Sequence, residues 1–154
     1  MVKLRIAALS ALLALAACSS GHEAGKSGIQ VENPWVRLPP LPDRPGSAYF
    51  TVRNNGPAAV LTGMQSPGVQ RIELHENAMT GGGMGGMMHM MPLTEVAISQ
   101  GSAATFQPGG KHAMLFGIDP KLRAADQLPL TFIFRDGQKI EAQAKLVAVG
   151  APAP

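Results

Sequence analysis

The segment LPLTFIFRDGQKIEAQAKLVAV, residues 128–149, decides the fold class of this chain. Both halves are short, and apolar side chains recur in them at every second position, as in a half-buried strand. Asp136-Gly137 stands between the halves, and this dipeptide is typical of a tight hairpin turn. The segment therefore predicts two antiparallel strands joined by a short connection.

The same pattern continues through the rest of the chain. Turn-forming stretches such as NNGP, SPG and QPGG separate the apolar runs. Further predicted strands are SAYFTVRN (47–54), VQRIELHE (69–76), EVAIS (95–99) and HAMLFGI (112–118). One helical turn fits DPKLRAADQ (119–127), but no longer amphipathic helix is indicated. Several short strands with regular turns predict an all-β, antiparallel sandwich or barrel.

The first residues have the pattern of an export signal. Lys3 and Arg5 precede a short apolar run, which ends in small residues before Cys18. The ending LAAC is typical of a bacterial lipoprotein processing site, so residues 1–17 are predicted to be a lipoprotein signal peptide. Lipidated Cys18 would then anchor the exported protein on the periplasmic side of a membrane. A plain signal peptide cut nearby is the alternative.

The remaining chain suits one domain. Residues 18–28 are predicted to be a flexible tether, residues 29–149 the folded domain and residues 150–154 a tail. Cys18 is the only cysteine, so the domain has no disulfide and no thiolate ligand. The signal holds two of the 13 Lys and Arg residues, which leaves 11 cations against 10 anions. A net charge of +1 predicts no nucleic-acid partner.

Methionine and histidine are concentrated between Ala78 and Met91, where most other residues are glycine. Their spacing fits no single helix or strand face, so a loop is predicted. A loop that exposes so many apolar side chains is unfavourable unless those side chains bind a ligand. Thioethers and imidazoles are suitable ligands for Cu(I). Low-complexity drift or an interaction loop is the alternative. The residues concerned are Met79, Met84, Met87, Met88, His89, Met90 and Met91.

Two further sites contain histidine. His112 and Met114 alternate on a predicted strand, so they share a face about 7 Å apart. Taken alone, His112 and Met114 fit a buried face with Phe116 and Ile118 better than a metal site, and His75 fits an ordinary surface histidine. Other metals fit less well, because blue copper needs a cysteine, structural zinc prefers Cys and His, and calcium needs carboxylates.

Together these residues resemble the periplasmic copper chaperones of the PCuAC family. That family is marked by a His, ten residues, a Met, twenty-one residues and then His-x-Met. Here 21 residues separate Met90 from His112-Ala113-Met114, whereas 14 separate His75 from Met90, so the glycine-methionine stretch holds four extra residues. Other matching stretches, within about residues 29–149, are PWVRLPP, GSAYFTVRNNG, IELHENAM, QPGGKHAML and LPLTFIFRDGQKIEAQAKL.

The resemblance implies a cupredoxin-like Greek-key β-sandwich that binds Cu(I). It implies delivery to the copper A centre of cytochrome c oxidase subunit II, directly or with a Sco-type protein. The implied ligands are His75, Met90, His112 and Met114, with Met79, Met84, Met87, Met88, His89 and Met91 as possible auxiliaries. Met87, Met88 or Met91 could take the place of Met90.

Two other classes of function remain to be compared with a copper carrier. An enzyme such as a copper oxidase would need a site richer in His or containing Cys. The chain has only four histidines, one of them, His22, in the tether, so no enzyme is predicted. A copper-sequestering or adhesive lipoprotein without a delivery role is the alternative. Of these, the adhesive protein would have no tight Cu(I) site.

Overall fold

A computed structural model describes residues 28–80 and 87–154. The predicted signal peptide, Cys18, His22 and Met84 lie outside the described residues. No helix in the described part is long and apolar enough to cross a membrane. The described elements are β1 (Ile29–Arg37), β2 (Gly46–Asn54), β3 (Ala59–Gln65), β4 (Val69–Thr80), β5 (Met87–Leu93), β6 (Val96–Ile98), β7 (Ser102–Phe106), β8 (Lys111–Ile118), a 3-10 helix (Pro120–Ala124), β9 (Gln127–Phe134) and β10 (Lys139–Val147).

The ten strands form a single sheet in the order β5-β4-β8-β7-β2-β1-β10-β9-β3-β6, with an additional pairing of β8 and β2. Most neighbours are antiparallel, but β1 pairs with β10 in parallel and β7 meets β8 in parallel at one position. The sheet curves back on itself, because β3 contacts β4 and β6 contacts β7. The predicted all-β class is confirmed.

One apolar core fills the space inside the curved sheet. Phe50 stacks on Phe106 with ring centroids 4.3 Å apart and meets Phe132 edge-on at 4.8 Å. On the two strands that matter for function, Leu74 of β4 and Ala113 of β8 belong to this core. Because successive side chains of a strand point to opposite faces, the residues that alternate with these two lie on the outer face of the sheet.

The hairpin predicted at Asp136-Gly137 is present between β9 and β10. Gly137 has φ +86°, a conformation that glycine adopts without a Cβ clash. The Gln138 amide donates to Oδ1 of Asp136 at 2.9 Å, and the Phe134 amide donates to the Gln138 carbonyl at 2.9 Å. The single helical turn is also confirmed, with the Asp119 carboxylate accepting from the Lys121 amide.

Outside the methionine-rich stretch, three strands form where none was predicted, namely β1, β3 and β7. The pattern of β1 is interrupted by a bulge between Glu32 and Trp35, where Asn33 has φ +47° and is followed by a proline. The bulge shifts the alternation of side chains within the strand, which hides the period of two in the sequence. Its pairing with β2 and β10 nevertheless makes β1 an interior strand of the sheet.

The methionine-rich stretch differs from the loop predicted for it. Residues 87–93 form β5, which pairs along the extended end of β4 at the edge of the sheet. The glycines that oppose regular structure all precede Met87, so they leave the strand itself free to form. Pro92, which has no N–H, is tolerated because an edge strand uses only one side for pairing. The loop prediction was wrong for residues 87–91.

Candidate metal centre

The antiparallel register of β4 and β8 brings three of the predicted ligands together. His75 lies directly opposite His112, and Met114 lies opposite Glu73. On β8, His112 and Met114 flank the core residue Ala113, and on β4, Glu73 and His75 flank its cross-strand partner Leu74. These four side chains therefore share the outer face of the sheet. A one-residue slip would send them to opposite faces, so this register is a requirement for the site.

The two imidazole rings lie side by side on this face. The ring centroids of His75 and His112 are 5.9 Å apart, and the ring planes differ by 23°. His112 is buried, with 6% of its surface exposed, and His75 is half-buried. Bonds from imidazole nitrogen to a metal are about 2 Å long. A centroid separation of 5.9 Å is compatible with one ion between the two rings when one nitrogen of each ring is turned toward it.

One backbone hydrogen bond fixes the orientation of the His112 ring. Nδ1 of His112 lies 3.0 Å from the carbonyl oxygen of Gly110. A carbonyl can only accept, so Nδ1 carries the proton and donates it. Nε2 then keeps its lone pair, which is the form in which imidazole binds a metal.

A carboxylate has the same effect on His75. Nε2 of His75 lies 3.2 Å from Oε2 of Glu73, whose other oxygen accepts from Nε of Arg71 at 2.9 Å. In the neutral ring, Nε2 is therefore the protonated nitrogen, and Nδ1 has the lone pair. Nδ1 is buried and has no hydrogen-bond partner among the described residues. An unsatisfied buried polar atom costs about 1–3 kcal/mol, so an additional ligand at this nitrogen is favoured.

The pairing of β5 with β4 decides which thioethers share this face. Met90 lies opposite Asn77, and Met88 lies opposite Met79. Asn77 is two residues beyond His75, so Met90 is a diagonal neighbour of His75 on the same face. Such neighbours are about 7–8 Å apart, within reach of a long side chain. Met88 lies on the same face but is two residues further along β5 from His75 than Met90 is.

The other two described residues of the cluster lie on the opposite face of β5. Met91 pairs with Glu76, and His89 pairs with Ala78. Glu76 and Ala78 alternate with His75 along β4, so they lie on the other side of the sheet. The structure therefore does not bring His89 and Met91 to the face that holds the two paired histidines.

The remaining predicted ligands fall outside this description. Met84 is beyond the described residues, as are the side chains of Met79 and Met87, and nothing is concluded about them. Among the described residues, no three His, Cys, Asp or Glu side chains are grouped for a metal ion. A centre on the outer face would therefore combine two imidazoles with thioethers.

Sequence analysis missed one residue of the site. Glu73 holds the ring of His75, and metal-binding histidines usually donate their second N–H to a carboxylate or a backbone carbonyl. Both histidines here have such a partner. The spacing Glu73-x-His75 on a predicted strand was the available signal, because residues two apart share a face.

Comparison with known proteins identifies related sequences. The model of the LpqE-like lipoprotein family matches residues 29–146. The relative "Putative lipoprotein Lxx21020" from Leifsonia xyli subsp. xyli (strain CTCB07) is 31% identical over 134 residues, which cover 82% of this chain and 78% of the relative.

Solved structures share the fold. The copper-bound PCuAC domain from PmoF2 has a TM-score of 0.64 at 21% identity, covering 79% of this chain and 93% of that domain. The apo form of DR1885 from Deinococcus radiodurans has a TM-score of 0.56 at 25% identity, covering 95% of each chain. Its CuI form has a TM-score of 0.52 at 25% identity, covering 82% of this chain and 84% of that one. The predicted cupredoxin-like β fold is confirmed.

Proposed function

The chain belongs to the LpqE-like lipoprotein family, a family of the PCuAC type, and from that membership we propose that it is an extracytoplasmic Cu(I) chaperone. Its cargo would bind on the outer face of β4 and β8. Two relatives of the same fold are described as copper-bound or CuI forms, which supports copper as the cargo.

The observation that carries the proposal is the pair of oriented histidines. His75 and His112 face each other across two strands, and each has one ring nitrogen held by an acceptor. The other nitrogen of each ring has a lone pair, and that of His75 is buried without a partner.

The thioethers determine which metal fits. Met114 is two residues from His112 on the same face, and Met90 reaches that face from β5. Thioether sulfur is a soft, uncharged donor, which favours Cu(I) over zinc, calcium or magnesium. Two imidazoles and two thioethers are all uncharged ligands. Electrostatic attraction between the ligands and Cu(I) therefore does not oppose release of the ion.

The two sides of the centre differ in exposure. His112 is buried, whereas Met90 is 52% exposed on an edge strand. Copper would be held from the histidine side and approached from the methionine side. This asymmetry suits a carrier, because an acceptor could displace the exposed thioether first and the less exposed imidazoles last.

The proposed location rests on the family, and the proposed destination rests on the resemblance to PCuAC chaperones. The family and its Leifsonia relative are named as lipoproteins, which supports an exported protein anchored through Cys18 on the periplasmic side of a membrane. The proposed recipient is the copper centre of cytochrome c oxidase subunit II, reached directly or with a Sco-type protein. A lipoprotein that sequesters copper without delivering it is the second candidate.

The binding proposal is tested with the full chain, purified in detergent and titrated anaerobically with Cu(I) against a high-affinity chelator. We expect one tightly held Cu(I), and X-ray absorption should show both nitrogen and sulfur ligands. An all-nitrogen shell, or failure to compete with the chelator, would contradict the proposal. An adhesive protein would also fail to compete.

Delivery is tested separately by mixing the Cu(I)-loaded protein with the soluble copper A domain of an oxidase subunit II, with and without a reduced Sco-type protein. Appearance of the copper A absorption would support a chaperone. Retention of copper in both mixtures would favour sequestration. Free Cu(I)-chelator complex at the same concentration is the control for transfer through solution.

A further inference from the structure

We propose a second, weaker Cu(I) site on the opposite face of the β4–β5 hairpin, formed by His89 and Met91. This pair has the same His-x-Met order as His112 and Met114 and the same strand spacing. Residues two apart on a strand lie about 7 Å apart with side chains on one face. An imidazole and a thioether so placed can converge on one soft ion.

The pairing register separates this site from the first. His89 lies opposite Ala78 and Met91 opposite Glu76, on the face of β4 that does not carry His75. A single ion cannot be shared across the two faces, because the backbone of β4 and β5 lies between them. The second site is therefore a separate binding event and not an extension of the first coordination sphere.

Exposure makes the second pair available. His89 is exposed, and Met91 is 49% exposed on a strand with a neighbour on one side only. Ala78, opposite His89, is too small to cover the ring. A thioether left so open gains nothing from core packing, and a soft metal ion gives it a ligand.

The same neighbours make the site weak. Ala78 supplies no donor where the first site has a second histidine. Glu76 faces the same side, but its carboxylate is engaged by Nζ of Lys111 at 2.5 Å. His89 and Met91 remain as the two protein donors. Cu(I) can be two-coordinate, and such a site leaves room for an incoming ligand. We expect affinity about 100-fold or more below that of the first site.

The test is an anaerobic Cu(I) titration of the full chain in detergent against a strong and a weak chelator. Carbon-13 methyl NMR of labelled methionine reads out which thioethers bind. The wild-type chain should retain one Cu(I) against the strong chelator and two against the weak one. The Met91 methyl signal should shift only in the second step. A single equivalent against both chelators would overturn the proposal.

Variants separate this proposal from the proposed function. The double variant His89→Ala/Met91→Leu should lose the second equivalent and keep the first, whereas His112→Ala/Met114→Leu should lose the first and keep the second. Met88→Leu, on the same strand but the other face, is the matched control and should keep the second equivalent. Retention of that equivalent by His89→Ala/Met91→Leu would overturn the second site without affecting the first. Far-ultraviolet circular dichroism checks that each variant is folded.

Discussion

The sequence His-x-Met occurs on two strands of this sheet, with different surroundings. On β8, an interior strand, His112 faces a second histidine and is held by a backbone carbonyl. On β5, an edge strand, His89 faces alanine and is exposed. The two motifs offer the same donor atoms. If both motifs bind copper as proposed, the residue across the strand, more than the motif, would determine how tightly each holds it.

Removing the interior histidine should have the largest effect. We expect His112→Ala to weaken the first Cu(I) site by about 1,000-fold, which corresponds to about 4 kcal/mol. His112 is fixed beside His75, and no other described imidazole shares that face. Chelator competition measures the loss, with His89→Ala as the matched control on the edge strand. Similar losses for both variants would remove the distinction between the two motifs.

Adding a histidine opposite the edge-strand motif should reduce the difference in Cu(I) affinity between the two proposed sites. Ala78→His would place an imidazole opposite His89, as His75 is opposite His112. We expect the second Cu(I) to bind about 30-fold more tightly, because a third donor is added. The measurement is the weak-chelator titration, with Ala78→Leu as the control for size. An unchanged second step would mean that the opposite residue does not set affinity.

Loss of the carboxylate that orients His75 should have a smaller effect. We expect Glu73→Gln to weaken the first site about tenfold, within the range found for groups that hold metal-binding histidines. The amide can no longer specify which ring nitrogen carries the proton. Glu76→Gln is the control, since Glu76 lies on the same strand but faces the other side. Nitrogen-15 NMR of the ring would show a mixture of tautomers in Glu73→Gln only.

Met90→Leu should cost about tenfold or less in affinity for the first Cu(I). Three ligands remain, and Met88 shares the face from one step further along β5. Met88→Leu/Met90→Leu should then lose more than Met90→Leu alone, whereas adding Met91→Leu should not change the first site. If Met90→Leu abolishes binding, no neighbouring thioether substitutes for it.

Cys18→Ser should leave both copper affinities unchanged, because Cys18 lies far in sequence from both His-x-Met motifs. It should release the protein from the membrane, since the lipid would have no attachment point. Fractionation after a high-salt wash measures this. Continued membrane association of the variant would contradict the lipoprotein assignment.

Local signals predicted much of this molecule. Asp136-Gly137 predicted a hairpin because the turn needs a residue that tolerates positive φ, and Gly137 has φ +86°. The His112-x-Met114 spacing predicted a shared face because strand alternation is local. The resemblance to the PCuAC family is confirmed. The ligand set and the domain boundaries stay predictions.

Non-local pairing accounts for what was missed. The strand at residues 87–93 depends on the exposed edge of β4, and its register decides that Met90 faces the histidines and Met91 faces away. Nothing in the composition of the stretch contains that information. The bulge near Asn33 similarly concealed β1, because its pairing with distant strands compensates for a broken pattern.

The open edge of β5 also sorts the methionines by their susceptibility to oxidation. Met88, Met90 and Met91 are 57%, 52% and 49% exposed, whereas Met64 in the core is 6% exposed. A peroxide should convert the hairpin thioethers to sulfoxides before it reaches the core, and a sulfoxide is no longer a soft donor. Because reductases reverse this step, oxidative stress would remove the proposed thioether ligands on β5 while the folded domain persists and can be repaired.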